Sequence, residues 1–478
     1  MIMSISIFQR TSRKVILCAV LFCIGYYVYN YNDLYSGLPL KQKFHKQTIK
    51  LKEDGTIFFN YDPKLNTPLD ESKVKEVTID GKKDGVYYFR GYGPLNKAFN
   101  SAGLQKARRL EYANVIYKYK YGKELDKIIS ELMSTQRYNH FPCLGYLTHK
   151  GKLWKAYSKM REKFSDDYHF MPESYLLPED KDRLVRDFDK HKLWIVKPKN
   201  LSRGRCIKVI NNVKDIPKEG IASEYIMPHL IFGKKYDFRI MCLVTSIEPL
   251  KIYLYTSDGL IRFASHKYLN DEEFLEDNFM HLTNKNINVK STKWQENKDV
   301  NKLQPNIASL RSYKNYCTKN INYDDVLDKI KDYVIKAILS NIDEAIEQYK
   351  KYNITSSRNI YEVFGVDIML DDKLNPYLIE MNLSPDWDFE CKVSEIIYDR
   401  IACDTLNLIG IKSYDHKNTK RRILNFDERL QENFDELKRE RGGWELIFPL
   451  KENIDKYKKF IDKPSELDLA LWNGIQNQ

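Results

Sequence analysis

The residues that could do chemistry gather late in the sequence. Asp367 lies in FGVDIML, and Glu380 and Asn382 lie in LIEMNLSP. Side chains alternate along a strand, so Glu380 and Asn382 share one face. If residues 371–376 (DDKLNP) turn between two strands, the hairpin register sets Asp367 opposite Glu380. Three oxygen ligands then converge, a set that suits a hard ion such as Mg2+ with phosphate oxygens and water completing its octahedron. The competing reading is a sheet edge with solvated acids. The strands are otherwise apolar on both sides, however, and inward-facing acids without a cation are costly.

Lys197 emerges from the apolar run WIVKP and is followed by NLSRG at 200–204. A lysine beside a Ser/Gly turn can hold phosphates from one side while backbone N–H groups hold them from the other. In GKKYDFR, Lys235, Asp237 and Arg239 alternate and face one way, and Arg262 heads a later strand in GLIRF. Arginines against apolar strands need anions, such as a transferring phosphoryl group or a substrate carboxylate. A buried ion pair of Asp237 with Arg239 or Arg262 is the structural alternative. In MHLTN, the single His281 reads as structural and not as catalytic.

The elements that must position these groups are legible from periodicity. Short runs rich in β-branched and aromatic residues predict strands over 193–199, 205–210, 236–246 and 250–255. Apolar residues at three- and four-residue steps predict a long helix from Leu327 to Tyr349. Strands follow over 363–370 and 376–382, then a helix over about 393–408 and a charged helix over 421–441 leading into GGWELIFP. Helical spacing over 122–164 is broken at Phe141-Pro142, and residues 32–85 read as a lysine-rich, irregular lead-in. Strands mixed with helices over several lobes predict an α+β or α/β enzyme.

Composition sets the outer bounds. The 478 residues are 42% hydrophobic and 30% charged, which excludes a disordered chain, and the length suits two to four lobes. A formal charge of +12 suits an acidic partner: nucleic acid, an anionic membrane or an acidic polypeptide. The eight cysteines show no CxxC spacing and indicate neither a zinc site nor a disulfide framework. Val15 to Tyr31 is uncharged and follows Arg10, Arg13 and Lys14, at the lower length limit for a membrane-spanning helix. It predicts a single-pass anchor, with the body cytosolic or luminal.

Taken together, WIVKPKNLSRGRCIKVI, YIMPHLIFGKKYDFRIMCLVTS, GLIRFASHKY, FMHLTN, FGVDIML and LIEMNLSP resemble, in order and spacing, the tubulin tyrosine ligase-like family, closest to its polyglutamylase branch. YNHFP at 138–142, FMPESYLLP at 170–178 and the closing RGGWELIFP resemble further segments of that family. The resemblance implies an ATP-grasp fold with an N-terminal lobe over about 86–180, a central lobe over 181–255 and a C-terminal lobe over 256–415. An anchor (1–31), a lead-in (32–85) and a charged helical extension (416–478) flank it. It implies ATP held by Lys197, Ser202, Arg203, Gly204, Arg205, Glu224, Tyr225, Lys235, Asp237, Thr283 and Asn284. Arg239 and Arg262 would hold the γ-phosphate and the acceptor or incoming amino acid, and Asp367, Glu380 and Asn382 would hold Mg2+. The implied reaction joins an amino acid, glutamate first and glycine or tyrosine as alternatives, to a protein carboxylate through an acylphosphate. Implied partners are tubulin or microtubules or another acidic protein, free glutamate and the membrane, with no nucleic acid. A membrane-tethered, non-catalytic microtubule binder is the reading from a different class. The sequence departs from the family pattern at Ser223, where glutamine is frequent, and at Asp386-Trp387 after Ser384-Pro385.

Overall fold

One strand of 14 residues, Lys234–Ile247, organises the chain around the candidate site. The computed structural model describes residues 45–478 except 82–84, 120–121, 123, 191–192, 199–203, 205, 318–320, 386, 388–390, 417 and 478. Among the described residues the strands form four sheets. Strands β1 (Gln47–Leu51) and β2 (Lys75–Ile79) pair antiparallel within the segment read as a lead-in. A small parallel sheet has the order β4-β3-β5-β6, from β3 (Tyr87–Phe89), β4 (Gln105–Lys106), β5 (Val115–Ile116) and β6 (Arg137–Tyr138). An antiparallel sheet has the order β7-β10-β8-β9, from β7 (Ser174–Leu177), β8 (Trp194–Lys197), β9 (Lys208–Ile210) and β10 (Gly220–Glu224).

The largest sheet has eight strands centred on β12 (Lys234–Ile247). The short β11 (Leu230–Ile231) turns into β12, which pairs with β13 (Leu250–Tyr255), β14 (Leu260–Phe263) and β16 (Glu362–Leu370). Beyond these lie β15 (Ile307–Ser309), β17 (Pro376–Leu383) and β18 (Trp444–Phe448). Helices α1 (Lys150–Lys163), α2 (Tyr323–Leu339), α3 (Ile342–Lys350), α4 (Lys392–Ile409), α5 (Phe426–Leu437) and α6 (Glu466–Gln476) pack around the sheets. The architecture is mixed α+β.

The two faces of β12 explain why the site lies where it does. Tyr236, Phe238, Ile240, Cys242 and Val244 all enter one apolar core. On the opposite face Lys235, Asp237 and Arg239 come first, and Met241 and Leu243 then enter a second core beneath α4. Alternation thus holds from Lys235 to Val244, where one face changes halfway from charged to apolar, and a bulge after Val244 then turns Ile247 into the first core. The strand is anchored by two hydrophobic cores and leaves its first half free to present charge.

Several expected elements differ in extent: β9 begins only at Lys208, and the helical spacing over 122–164 resolves into a short helix, Leu125–Glu131, and α1, with β6 between them. The helix predicted over 327–349 is divided into α2 and α3 at Ser340-Asn341. The Ser340 hydroxyl donates to the Ala337 carbonyl at 2.7 Å, competing with the helical ladder, while the apolar period runs unbroken through the junction. The charged helix expected over 421–441 contracts to α5, opened by a reciprocal cap between Asn425 and Glu428. Inside the segment expected as a charged helical extension, Glu436 of α5 is buried and ion-pairs with Lys251 (2.7 Å) and Arg358 (3.4 Å). It also accepts from Thr245 (2.6 Å) and Tyr253 (3.0 Å), so this segment is bolted to the central sheet.

The expectation of a membrane-anchored, single-pass protein is corrected. Among the described residues no helix is long and apolar enough to cross a membrane. Residues 15–31, on which that expectation rested, lie outside the described residues.

Candidate functional site

The charged face of β12 forms the floor of a cleft between the eight-stranded sheet and the β7-β10-β8-β9 sheet. Cross-strand register builds a row of charged side chains there: Asp237 of β12 opposes Arg262 of β14, Arg239 opposes Asp367 of β16, and Asp367 opposes a second carboxylate, Glu380 of β17. Arg262 donates to both oxygens of Asp237 (2.8 and 2.5 Å) and reaches Asp367 at 2.9 Å. Arg239 grips both oxygens of Asp367 through its Nε and Nη2. A Cβ on Gly365 would sit 2.9 Å from the Arg239 Cδ, so glycine lets this side chain cross β16. Burial works against the Arg262 charge, but Asp237 and Asp367 raise its pKa well above the ordinary value. The ion pair weighed as a structural alternative is therefore present, and it sits inside the cleft.

Asp367 faces Glu380 because of a β-bulge. Ile368 pairs with Leu378 and Asp367 pairs with Glu380, leaving Ile379 as the extra residue on β17. The amide of Asn382 donates to Glu380 at 3.1 Å and to Asp367 at 3.4 Å, drawing the three expected metal ligands together. Glu380 also receives Lys150 Nζ at 3.0 Å. Burial alone would raise Glu380, but Lys150 and Lys197 outweigh it and hold the carboxyl far below its usual range. No cluster of three His, Cys, Asp or Glu side chains suited to a metal occurs among the described residues. The donor set here is two carboxylates and one amide, which fits an ion that completes its shell with phosphate and water. Ligation by Asn382 requires its amide oxygen, in place of the nitrogen, to face the carboxylates.

Lys197 at the end of β8 and Lys235 line the same cleft. Neither has an ion-pair partner among the described residues. Burial lowers Lys197 to about 8, with Glu380 opposing. Burial and the nearby Lys197 lower Lys235 to about 7, with Asp237 opposing. Lys235 donates to the Tyr225 hydroxyl at 3.1 Å and lies 4.3 Å from the centre of that ring. The hydroxyl meets His281 Nδ1 at 2.8 Å, and His281 Nε2 meets the Phe274 carbonyl at 3.1 Å. Burial and Lys235 lower His281 to about 4, so the neutral ring accepts at Nδ1 and donates at Nε2. His281 thus aims Tyr225, in keeping with a structural role.

Ile195, Ile207, Ile226, Leu282 and Met369 give the cleft apolar walls, beside Glu224 and Tyr225. Thr283 donates to Asp237 at 2.7 Å. Gly204, at φ +74°, packs so closely that an added Cβ would meet Asn284 Oδ1 at 3.0 Å and Ile287 Cδ1 at 2.4 Å. Of the expected site residues, Lys197, Gly204, Glu224, Tyr225, Lys235, Asp237, Thr283, Asn284, Asp367, Glu380 and Asn382 line this one cleft. Arg239 and Arg262 join it through Asp367 and Asp237. Ser202, Arg203 and Arg205 lie outside the described residues. Lys150 was not foreseen, because THKGKLW carries no signal separating it from the other basic residues.

The cleft combines apolar walls with a charged floor of lysines, arginines and carboxylates, the make-up of a small-molecule site. Residues 128–420 match the tubulin-tyrosine ligase family, and the chain belongs to that family. It is 38% identical over 282 residues to the tubulin monoglutamylase TTLL4 of Mus musculus, covering 58% of this chain and 24% of that protein. It is 30% identical over 405 residues to the tubulin polyglutamylase TTLL6 of Mus musculus, covering 79% of this chain and 48% of that protein. A tubulin polyglutamylase of Caenorhabditis elegans, ttll-4, is 32% identical over 285 residues, covering 59% of this chain and 47% of that protein. Two of these three relatives are named polyglutamylases and one a monoglutamylase, all from the glutamate-adding side of the family to which the motifs pointed. The chain spans from about a quarter to about half the length of these curated relatives.

Proposed function

We propose that this chain is an ATP- and Mg2+-dependent ligase of the ATP-grasp type that adds glutamate to glutamate side chains of tubulin or another acidic protein. The observation that carries the reading is the charge layout of the cleft floor. Arg239 and Arg262 are paired with Asp367 and Asp237 and Lys150 with Glu380, while Lys197 and Lys235 line the same cleft with no ion-pair partner among the described residues. Two desolvated lysines without a counter-ion call for an anionic ligand. The paired carboxylates Asp367 and Glu380, with Asn382, are the residues that would hold Mg2+. The apolar walls by Tyr225 and Ile226 would take the adenine, and Lys197 and Lys235 the phosphates.

When bound, Mg–ATP supplies the phosphoryl group that activates an acceptor carboxylate as an acylphosphate, while the ion offsets charge on the transferring group. Arg239 and Arg262 are fixed by Asp367 and Asp237, so their forks need no reorganisation to face a new anion. The incoming amine, once deprotonated, attacks the acyl carbon; the C–N bond forms and phosphate leaves with the bonding pair. No nucleophilic side chain is required, and none is needed among the residues of the cleft.

The test is incorporation of labelled amino acids, glutamate, glycine and tyrosine among them, into tubulin with ATP and Mg2+, using wild type and Glu380→Gln. Glutamate incorporation by wild type that is lost in the variant is expected. Failure to incorporate any amino acid would overturn the reading.

A further inference from the structure

Helix α1 carries its charges where they do not favour a helix. Its first turn holds Lys150 and Lys152 and no acid, although helix N-termini favour negative charge. Lys152, Lys155 and Lys159 follow at three- and four-residue steps and are all exposed, so like charges stack along one face. None of the three has an ion-pair partner among the described residues. Other cations of the same helix are neutralised, Arg161 by Glu173 (2.6 Å) and Lys163 by Asp462 (2.9 Å). The helix is held by its opposite face, where Leu153, Trp154, Tyr157 and Met160 are buried. A local rule broken without a stabilising return marks a surface kept for another purpose.

The position of α1 gives that surface a direction. The helix begins at the cleft, where Lys150 reaches Glu380 at 3.0 Å. From Lys152 to Lys159 the stripe rises about 10.5 Å at about 1.5 Å per residue. That matches about three residues of extended chain at about 3.3 Å each.

We infer that the Lys152–Lys155–Lys159 face of α1 is a docking track for an acidic polypeptide, leading it to the cleft. The exposed positions of the helix are Lys152, Lys155, Lys159, Glu162 and Lys163, so the basic stripe ends at Glu162 and offers no apolar residue to insert into a bilayer. The stripe also has neither the arginine forks nor the exposed aromatic rings by which single-stranded nucleic acid is held. Point charges on flexible stems suit carboxylates spaced along a mobile chain. What happens to the docked chain in the cleft rests on the ligase reading; the docking itself does not.

The test is fluorescence anisotropy of a labelled poly-glutamate peptide with the full chain, comparing wild type, the triple variant Lys152→Gln/Lys155→Gln/Lys159→Gln and the triple Lys→Arg variant. The glutamine variant is expected to bind roughly tenfold more weakly, the sum of three exposed ion pairs. The arginine variant should bind like wild type, and nucleotide affinity should be unchanged in all three. Equal peptide affinity of wild type and the glutamine variant would overturn the inference. So would no peptide binding by wild type, or tighter binding of wild type to single-stranded DNA or phosphatidylserine vesicles at the same salt. Acceptor kinetics separate the two readings. Peptide binding through the stripe without amino-acid incorporation defeats the ligase reading alone. Incorporation with an unchanged acceptor KM in the glutamine variant defeats the docking track alone.

Discussion

Replacing Lys235 with Met should stabilise the folded protein below pH 7 while weakening its hold on nucleotide. Lys235 is buried, its amine meets the Tyr225 hydroxyl and ring, and burial with the nearby Lys197 lowers its pKa from 10.5 to about 7 against the pull of Asp237. At about 1.36 kcal/mol per pKa unit, keeping this amine charged costs the native state about 5 kcal/mol. The sign follows from proton counting. Between about pH 7 and 10.5 the unfolded lysine is protonated and the folded one is not, so wild-type stability rises with pH across that window. Below pH 7 both states are protonated and the full cost applies. The gain from Lys235→Met should therefore be close to 5 kcal/mol at pH 6 and shrink to about 2 kcal/mol at pH 9. Urea unfolding of both proteins at the two pH values measures it. A bound triphosphate should recharge the lysine, so calorimetry at pH 8 in buffers of different ionisation enthalpy should show uptake of about one proton that the variant lacks. A gain independent of pH, or the same proton uptake in both proteins, would refute the placement of an uncompensated lysine in the cleft.

Gly204→Ala forces a Cβ into Ile287 at a φ of +74°, and should cost about 1–3 kcal/mol, read as a drop in nucleotide affinity of about tenfold or more by calorimetry. Arg262→Lys keeps the charge but loses the two-pronged grip on Asp237 and the contact with Asp367. Amino-acid incorporation should fall by roughly a hundredfold with little change in the circular dichroism spectrum. Glu436→Gln leaves Lys251 and Arg358 buried without their carboxylate and should lower unfolding free energy by about 3–5 kcal/mol; adding Lys251→Met should recover part of it, as a double-mutant cycle would show.

Much of the cleft could be read in the sequence because strand alternation is a local property. Lys235, Asp237 and Arg239 had to share a face whatever the fold, as did Glu380 and Asn382. The strands over 250–255 and 363–370 were legible for the same reason: β-branched and aromatic runs bounded by turns. Helix α2 ran into α3 in the sequence reading because apolar spacing reports which face is buried, and that face is continuous across Ser340-Asn341. The break depends on backbone hydrogen bonding that periodicity does not carry. Lys150 was invisible for a different reason. Its role comes from a contact across 230 residues with Glu380, and its neighbours in sequence say nothing about it.

The sequence by itself determined which chemical groups are present, their alternation on strands and the family whose motifs they match. The tertiary structure decided who neutralises whom. The expected turn over 371–376 would have set Asp367 opposite Glu380 without irregularity. The strand pair instead begins at Leu370 and Pro376, and only the bulge at Ile379 restores that opposition. The partners of the carboxylates were likewise settled by folding, which brings Arg239 and Arg262 to Asp367 and carries Lys150 to Glu380 from another element. The same holds for Glu436, a surface residue in a charged helix by its sequence, which becomes the buried counter-ion of Lys251 and Arg358. Charge pairing depends on distance and burial, and both arise from long-range packing.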